Sequence, residues 1–245
     1  MADADPVRSK VRAQGARNTD LPVRLTSAVL MLAIAGFALW RGGWILDALV
    51  LIVAAATFWE WARLVRRWPV STGHALAWLA GGALYIGAAA VMAVTMPAAV
   101  FVFALGVAVM TDTCAYLAGR TIGGPKIAPR ISPSKTWAGL LGGMIGAALW
   151  CCAAVAAHVA VTTPAGGGAS VQGSLAPYGV AAMLGALLAI AAQAGDFFES
   201  WMKRRALVKD SSRLIPGHGG IFDRTDGLLP VLLIVGVLYP TMMQA

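Results

Sequence analysis

Charged residues are concentrated between positions 196 and 227 of this sequence. Asp196, Glu199, Asp210, Asp223 and Asp226 are five of only eleven acidic residues in the chain. Six basic residues lie among them, namely Lys203, Arg204, Arg205, Lys209, Arg213 and Arg224. Carboxylates bind hard cations through oxygen, and Lys and Arg side chains bind phosphate oxygens. The mixture therefore indicates chemistry on a phosphate-bearing substrate.

The first part of this segment has the spacing of one helical face. Asp196, Glu199, Ser200 and Lys203 recur at i, i+3, i+4 and i+7, which places them on the same side of a helix. The other side carries apolar residues: Phe197, Phe198, Trp201 and Met202. A solvated surface helix would explain the charges but not the opposite aromatic face, so the pattern favours a functional polar stripe.

A glycine-rich stretch, Pro216 to Gly220, follows this helix. Its three glycines would let backbone N–H groups approach a phosphate closely and adopt positive φ. The same residues also suit a plain tight turn, and glycines alone are weak evidence. Asp223 and Asp226 come next, at i and i+3, where the last apolar run begins. Together with Asp196 from another helix, they could bind a hard cation.

A second polar element comprises residues 132–136, Ser-Pro-Ser-Lys-Thr. It predicts a helix start, with Ser132 as the N-cap and Pro133 in the first turn. The free N–H groups of such a start suit an anion. Capping without ligand binding is the alternative.

Three further acids, Asp47, Glu60 and Asp112, lie within apolar runs, and the two in the second run, Asp47 and Glu60, are the less informative. Asp112 is expected to be buried about two turns inside the fourth run, with Tyr116 on its face, and an acid at that depth indicates a functional role. Glu60 is one turn before Arg63, so a structural ion pair between them is at least as good an interpretation.

The composition defines the elements that must position these residues. With 59% hydrophobic and 12% charged residues, the chain is too apolar for a soluble domain of its length. Seven apolar runs, each near the length of a membrane span, predict an all-α polytopic helical bundle. They cover about 25–40, 44–62, 75–95, 97–118, 138–161, 176–195 and 228–243. We divide the chain into a basic, disordered tail (1–24), N-terminal transmembrane helices (25–95) and a catalytic transmembrane domain (96–245).

The basic residues predict the orientation of the bundle. If residue 1 is cytoplasmic, 18 of the 19 Lys and Arg residues lie on the cytoplasmic side and only Arg41 lies outside. Insertion favours positive charge inside, so the N-terminus and the active site are expected at the cytoplasmic face. The net charge of +8 then indicates contact with anionic membrane lipids. No nucleic-acid recognition module is visible in the sequence.

Three segments of the sequence resemble phosphatidate cytidylyltransferases, also called CDP-diacylglycerol synthases. The longest is Ser200-x-x-Lys203-Arg204-x4-Lys209-Asp210-x5-Pro216-Gly217-His218-Gly219-Gly220-x-x-Asp223-Arg224-x-Asp226. The others are Asp112-x-x-x-Tyr116-x-x-Gly119-Arg120 and Ser132-Pro133-x-Lys135-Thr136-Trp137-x-Gly139. The resemblance covers roughly residues 97–240. One departure is Ala138, where the family usually has Glu, and its consequence is open.

The resemblance implies a reaction and its participants. CTP and phosphatidate would give CDP-diacylglycerol and pyrophosphate by in-line attack of the lipid phosphate on the α-phosphorus of CTP. Mg²⁺ is the expected cofactor, and a second monovalent or divalent cation is left open. The resemblance also implies a homodimer in the bacterial cytoplasmic (inner) membrane. Small residues such as Gly142, Gly143 and Gly146 could pack helices within one chain or between chains.

The resemblance also implies roles for individual residues. Asp196 and Asp223 would be the metal ligands, while Asp226 and Asp210 would support them or contact the ribose or the cation. The residues that would bind the phosphates are Lys203, Arg204, Lys209 and Arg224, with His218 as a hydrogen-bond donor. The substrate-binding residues would be Asp112, Tyr116, Ser132, Ser134, Lys135, Thr136, Ser200, Gly217, Gly219 and Gly220.

Two alternatives belong to other classes. A CDP-alcohol phosphotransferase also has spaced aspartates at a membrane surface, but only the fragment Asp223-x-x-Asp226-Gly227 of its longer pattern is present. A membrane transporter would have ionisable groups near the bilayer midplane and repeated, broken helices. The sequence has no visible internal repeat, and its acids gather at one membrane edge.

Overall fold

The computed structural model of the protein describes residues 6–162 and 175–242. In these two ranges the chain forms eight helices and one hairpin. The helices are α1 (Pro6–Arg41), α2 (Gly43–Val65), α3 (Thr72–Thr95), α4 (Ala98–Thr121), α5 (Trp137–Thr162), α6 (Ala176–Arg205), α7 (Phe222–Thr225) and α8 (Leu228–Met242). The hairpin consists of β1 (Lys126–Ala128) and β2 (Ser132–Thr136), which pair antiparallel between α4 and α5.

The helical bundle predicted from the apolar runs is confirmed. Within the described ranges, six helices are long and apolar enough to cross a membrane, namely α1 from Leu21 onward and α2 to α6. Helix α8 has 15 residues, fewer than the roughly 20 that a span requires. The expected count of seven spans is therefore not confirmed.

The segment at 132–136 is a strand, so the prediction of a helix start capped by Ser132 was wrong. Pro133 disfavours α conformation at the residue before it, which leaves Ser132 extended. Helix α5 begins five residues later, and its cap is Thr136, whose hydroxyl oxygen accepts a hydrogen bond from the Gly139 N–H at 3.1 Å.

The N-terminal segment also differs from its prediction. Helix α1 begins at Pro6, within the stretch 1–24 that was expected to be disordered. Adding residues to an existing helix costs far less than nucleating one, so the first apolar run can propagate its helix outward. Residues 1–5 and most of the glycine-rich connector after α5 lie outside the described residues.

Helix α5 packs very closely against α4 because its facing residues are small. A Cβ on Gly142 would lie 2.4 Å from the Ala118 Cβ, and one on Gly146 would lie 2.5 Å from the Cys114 sulfur. The sequence left open whether these glycines pack helices within one chain or between chains. Gly142 and Gly146 pack α5 against α4 within the chain. The close packing brings the C-terminal end of α4 beside the first turn of α5 and the hairpin.

The apolar face predicted for residues 197–202 packs against other helices of the bundle. Phe198 lies 5.5 Å from the Trp61 ring of α2, and Trp201 lies 5.5 Å from Trp68, measured between ring centroids. Aromatic packing of this kind fixes the rotation of α6. The opposite face, with its acids, therefore points toward α4, β2 and the residues before α8.

Candidate active site

Three carboxylates converge at the C-terminal end of α6. Asp196 and Glu199, one turn apart on this helix, and Asp226, between α7 and α8, each offer an oxygen atom within 4.8 Å of the other two. The Glu199 side chain is almost fully buried, and its Oε1 atom has no hydrogen-bond partner among the described residues. A set of oxygen donors of this kind fits Mg²⁺ or another hard cation. Glu199 was not among the ligands expected from the sequence.

Asp223 lies beside this cluster, connected to it through Lys203. The Lys203 ammonium is 2.6 Å from Oδ1 of Asp223 and also forms an ion pair with Glu199. The other Asp223 oxygen, Oδ2, accepts hydrogen bonds from the N–H groups of Gly220 (2.7 Å) and Ser211 (3.1 Å), and it lies 2.9 Å from the Ser211 hydroxyl oxygen. Asp223 thus organises the segment 211–220, and its role as a metal ligand stays a prediction.

The two aspartates around α7 differ in their protonation. Burial raises the pKa of Asp223, but the hydrogen bonds from Lys203 and the Gly220 N–H lower it by more, so the net pKa is well below the ordinary value. Burial, and then the nearby charge of Asp196, raise the pKa of Asp226 to about 7. Asp223 is therefore a fixed anion, whereas Asp226 holds a proton or a cation near neutral pH.

A polar cleft of about 440 Å³ opens beside the cluster, between α4, β2, α5 and α6. It contains most of the substrate-binding residues expected from the motifs at 112–120 and 132–139, namely Asp112, Tyr116, Ser134, Lys135 and Thr136. Lys135 forms an ion pair with Asp196 at the boundary between cleft and cluster. Asp112 is exposed to the cleft, so the expectation that it would be buried was wrong.

Gln193 also lines the cleft, although none of the sequence motifs includes it. Its side chain is 2% exposed, and neither amide atom has a hydrogen-bond partner in the described part of the chain. A buried amide without partners costs free energy, and such groups call for an explanation such as an absent ligand. Its position one turn before Asp196 is the only signal that could have identified it.

The glycine-rich stretch forms a tight turn against α1. Gly217 and Gly219 have φ of 77° and 86°, and Ile215 and Gly219 pair as an isolated bridge. The Ser27 hydroxyl lies 2.9 Å from the Pro216 carbonyl oxygen and 2.8 Å from Nδ1 of His218. The hydroxyl also lies 3.0 Å from the Arg24 carbonyl oxygen, so it has two acceptors besides the ring, and the tautomer of His218 decides which atom donates in the Ser27–His218 contact. The role of His218 as a donor to phosphate stays a prediction.

The remaining residues expected at the site lie at its edge or outside it. The Arg224 guanidinium donates to the His218 carbonyl at 2.7 Å, and the Ser200 hydroxyl is 3.5 Å from Asp196. Arg204 is exposed and donates to the Ile131 carbonyl at 3.3 Å, beside the hairpin turn. The other three, Ser132, Lys209 and Asp210, do not line the polar cleft. Lys209 and Asp210 are exposed, and Ser132 is buried.

Glu60 has a different role from the one that the sequence indicated. Its carboxylate is fully buried and accepts hydrogen bonds from residues of the segment 211–222 rather than pairing with Arg63. Arg63 instead points its guanidinium at the Ser211 carbonyl, 3.4 Å away, and lies over the Trp59 ring.

Comparison with known proteins places these features in a wider group. The sequence model described as "Cytidylyltransferase family" matches residues 74–242. A protein named phosphatidate cytidylyltransferase from Brucella suis biovar 1 is 32% identical to this chain, over 90% of the chain and 95% of that protein. The protein of that name from Brucella melitensis biotype 1 is 33% identical over the same shares. The one from Rickettsia felis is 38% identical, over 52% of the chain and 54% of that protein.

Proposed function

Because the chain belongs to the cytidylyltransferase family, we propose that it catalyses the reaction of CTP with phosphatidate to give CDP-diacylglycerol and pyrophosphate. An oxygen of the phosphatidate phosphomonoester forms a bond to the α-phosphorus of CTP. The bond from that phosphorus to the α,β-bridging oxygen breaks, and pyrophosphate leaves with the electron pair. The attacking group is already an anion near neutral pH, so no side chain is needed as a nucleophile.

One observation carries this proposal: the polar cleft is lined by Asp196 of the carboxylate cluster, and an apolar cavity reaches α7, next to Asp226 in the chain. The polar cleft offers Lys135 and Arg120 to a nucleotide. The apolar cavity, of about 260 Å³, lies between α1, α2, α3 and α8 and reaches Arg224 and Thr225 at its polar end. Those two residues lie between Asp223 and Asp226 in the chain. A lipid phosphate held at Arg224 and a triphosphate held at Lys135 would therefore meet at the cluster.

The side chains supply positioning and charge rather than covalent chemistry. Lys135 and Arg224 would bind phosphate oxygens from opposite sides of the cluster, which orients the attacking oxygen and the α-phosphorus. Lys203 holds Glu199 and Asp223 in place. Arg204 and Lys209 line neither the polar cleft nor the apolar cavity, and we assign them to the surface around the site.

Mg²⁺ is part of the proposal, and the residues that would hold it are Asp196, Glu199 and Asp226. When bound there, it would neutralise charge on the triphosphate and on the pyrophosphate that leaves. Lys203, Gly220 and Ser211 already contact both oxygens of Asp223, so we do not include Asp223 in this set. The sequence resemblance assigns Asp196 and Asp223 to the metal, whereas the geometry favours Asp196, Glu199 and Asp226. A larger loss of Mg²⁺-dependent turnover in Asp223→Asn than in Glu199→Gln would support the first set, and the reverse would support the second.

We also propose that the site faces the cytoplasm, in a bacterial inner membrane. The support is the distribution of Lys and Arg, with 18 of 19 on the side of the site and only Arg41 on the other. Access of a membrane-impermeant thiol reagent to single cysteines at positions 41 and 213, in intact cells, would test the orientation. A homodimer remains a prediction, which mass measurement of the purified protein in detergent would check.

The experiment that tests the reaction follows the two ends of CTP separately. Purified protein in vesicles that contain phosphatidate is given Mg²⁺ and CTP labelled either in its α- or in its γ-phosphate. We expect the α-label to enter the lipid phase and the γ-label to appear in pyrophosphate, in equal amounts. Omission of phosphatidate or of Mg²⁺ should abolish both. Release of CMP from added CDP-diacylglycerol and an alcohol, without use of CTP, would overturn the proposal in favour of a CDP-alcohol phosphotransferase.

A further inference from the structure

Glu60, near the C-terminal end of α2, is a buried acid that lies before the residues matched by the family sequence model. Its relative exposure is 0%, and none of the ion pairs in the described ranges includes it. A buried carboxylate is costly unless other groups stabilise it. Here four hydrogen-bond donors do so: the hydroxyls of Ser211 (2.7 Å) and Ser212 (2.5 Å) and the N–H groups of Ile221 (3.0 Å) and Phe222 (2.7 Å).

These donors come from the two ends of one segment. Ser211 and Ser212 precede the glycine turn, whereas Ile221 and Phe222 follow it, so Glu60 holds the segment closed at its base. Ser211 is shared with the site, because its hydroxyl also lies 2.9 Å from Oδ2 of Asp223 and its N–H donates to the same oxygen. A continuous path of contacts therefore runs from Glu60 through Ser211 to Asp223.

The packing at this contact leaves no room for adjustment. A Cβ on Gly220 would lie 2.0 Å from the Ser211 hydroxyl oxygen and 2.5 Å from Oε2 of Glu60. Gly220 also donates its N–H to Asp223 at 2.7 Å. The same backbone unit thus touches both acids, and a shift of Glu60 would be transmitted to Asp223.

We infer that Glu60 is a positioning residue for the reaction: through Ser211 and the base of the glycine turn, it sets the orientation of Asp223 toward Lys203. The inference rests on the proposed function for its kinetic consequence. Asp223 holds Lys203, and Lys203 holds Glu199 of the carboxylate cluster. An error in the position of Asp223 would therefore displace the groups that bind the cation and the phosphates.

The position requires a carboxylate rather than an amide. Oε1 accepts from Ser212 and the Ile221 N–H, while Oε2 accepts from Ser211 and the Phe222 N–H. Glutamine would keep one of these oxygens and present an NH₂ group to the other two donors. Glu60→Gln therefore keeps nearly the same shape but places its NH₂ group, a donor, against two of the four donors that surround Glu60.

The test combines Glu60→Gln with Ser211→Ala in the full chain, reconstituted in phosphatidate vesicles. We expect Glu60→Gln to lower kcat by about 10²-fold, with little change in the KM for phosphatidate, because misplacement of a catalytic array affects mainly the transition state. In the Ser211→Ala background, the same substitution should lower kcat much less. The matched control is Asp47→Asn, the other acid of α2, about 20 Å along the helix; it should leave kcat unchanged.

Three results would overturn the inference. The first is a wild-type kcat in folded Glu60→Gln. The second is a double variant, Glu60→Gln with Ser211→Ala, in which the free-energy losses in kcat of the two single variants simply add. The third applies if Glu60→Gln does not fold, and it is a wild-type kcat in Ser212→Ala. The last variant removes one donor to Glu60 without touching Asp223.

Trypsin cleavage of the folded protein after Lys209 or Arg213 separates this inference from the proposed function. Arg213 is exposed within the segment 211–222 that Glu60 holds, and Lys209 is exposed two residues before it, so Glu60→Gln should accelerate this cleavage whether or not the wild type consumes CTP. An inactive wild type would refute the reaction, whereas unchanged cleavage in Glu60→Gln would refute the anchoring by Glu60.

Discussion

Lys203 is the cation on which the buried acids of α6 and α7 depend. Its ammonium contacts Glu199 and Asp223, whose side chains are 1% and 11% exposed, and it is itself 14% exposed. Substitution Lys203→Met keeps an unbranched apolar stem of similar shape but removes the charge. Both acids would then lack the cation that compensates their burial.

The magnitude follows from the cost of leaving a charge unpaired. Removal of one partner of a buried ion pair costs about 3–5 kcal/mol. Two pairs are broken here, but a buried carboxylate without a cation can take up a proton instead, so the costs do not double. We therefore expect Lys203→Met to lower the free energy of unfolding by about 3–5 kcal/mol. We expect turnover to fall by at least about 10²-fold, since the array around Asp223 loses its alignment.

The assay separates the stabilising role from the catalytic one. Unfolding in detergent can be followed by the fluorescence of the nine Trp residues, and turnover by label transfer from CTP. In the double variant Lys203→Met/Glu199→Gln, residue 199 is neutral and Asp223 keeps its hydrogen bonds from Gly220 and Ser211, so stability should largely recover while turnover should not. Arg67→Met, at an exposed base after α2, is the control and should change neither quantity. Wild-type stability in folded Lys203→Met would refute the reasoning that Lys203 compensates the two acids.

Three other perturbations have defined outcomes. Without metal, stability should fall as the pH rises from about 4 to about 7, because the unfolded chain loses the Asp226 proton while the folded protein keeps it to about pH 7. Mg²⁺ should therefore raise the unfolding temperature more at about pH 8 than at about pH 6. Asp226→Asn should remove that difference. Ser27→Ala should raise the KM for CTP, because the His218 ring loses its contact with the hydroxyl. Ser27→Thr keeps a hydroxyl and should have the wild-type KM. The same KM in Ser27→Ala and Ser27→Thr would contradict the role of the hydroxyl. Thr136→Ala should cost about 1 kcal/mol of unfolding free energy through loss of the cap on the Gly139 N–H, whereas Thr136→Ser should not.

The sequence predicted those parts of the fold that depend on regular spacing. Apolar runs of span length predicted the helices, and the i, i+3, i+4, i+7 pattern predicted the face of α6 that carries Asp196 and Glu199. Both signals arise from helix geometry, which is local and periodic. The same pattern could not separate Glu199 from Ser200, because spacing gives the face of a residue and not its distance from Asp226 on another element.

Local rules failed where two of them conflicted or where the partners were distant. Ser132 has the side chain of a helix cap, but it precedes a proline, and the steric restriction of that position decided the outcome. Glu60 is close to Arg63 along the chain, yet its hydrogen-bond partners are 151 to 162 positions away. An isolated i, i+3 ion pair contributes only about 0.2–0.5 kcal/mol, whereas four hydrogen bonds to a buried carboxylate contribute more. Only the tertiary structure shows which set of partners prevails.

The balance of charge explains why the site combines so many acids with anionic substrates. Asp112, Asp196, Glu199, Asp223 and Asp226 surround the point where the phosphates would meet, and two ammonium groups, those of Lys135 and Lys203, pair with them directly. At the cluster itself, the carboxylates of Asp196, Glu199 and Asp226 would repel a phosphate that arrived without a cation. A triphosphate that arrived with a divalent cation would bring positive charge to these oxygen donors. The cluster would then disfavour free CTP and favour its metal complex, and the acids would contribute to substrate selection as well as to metal binding.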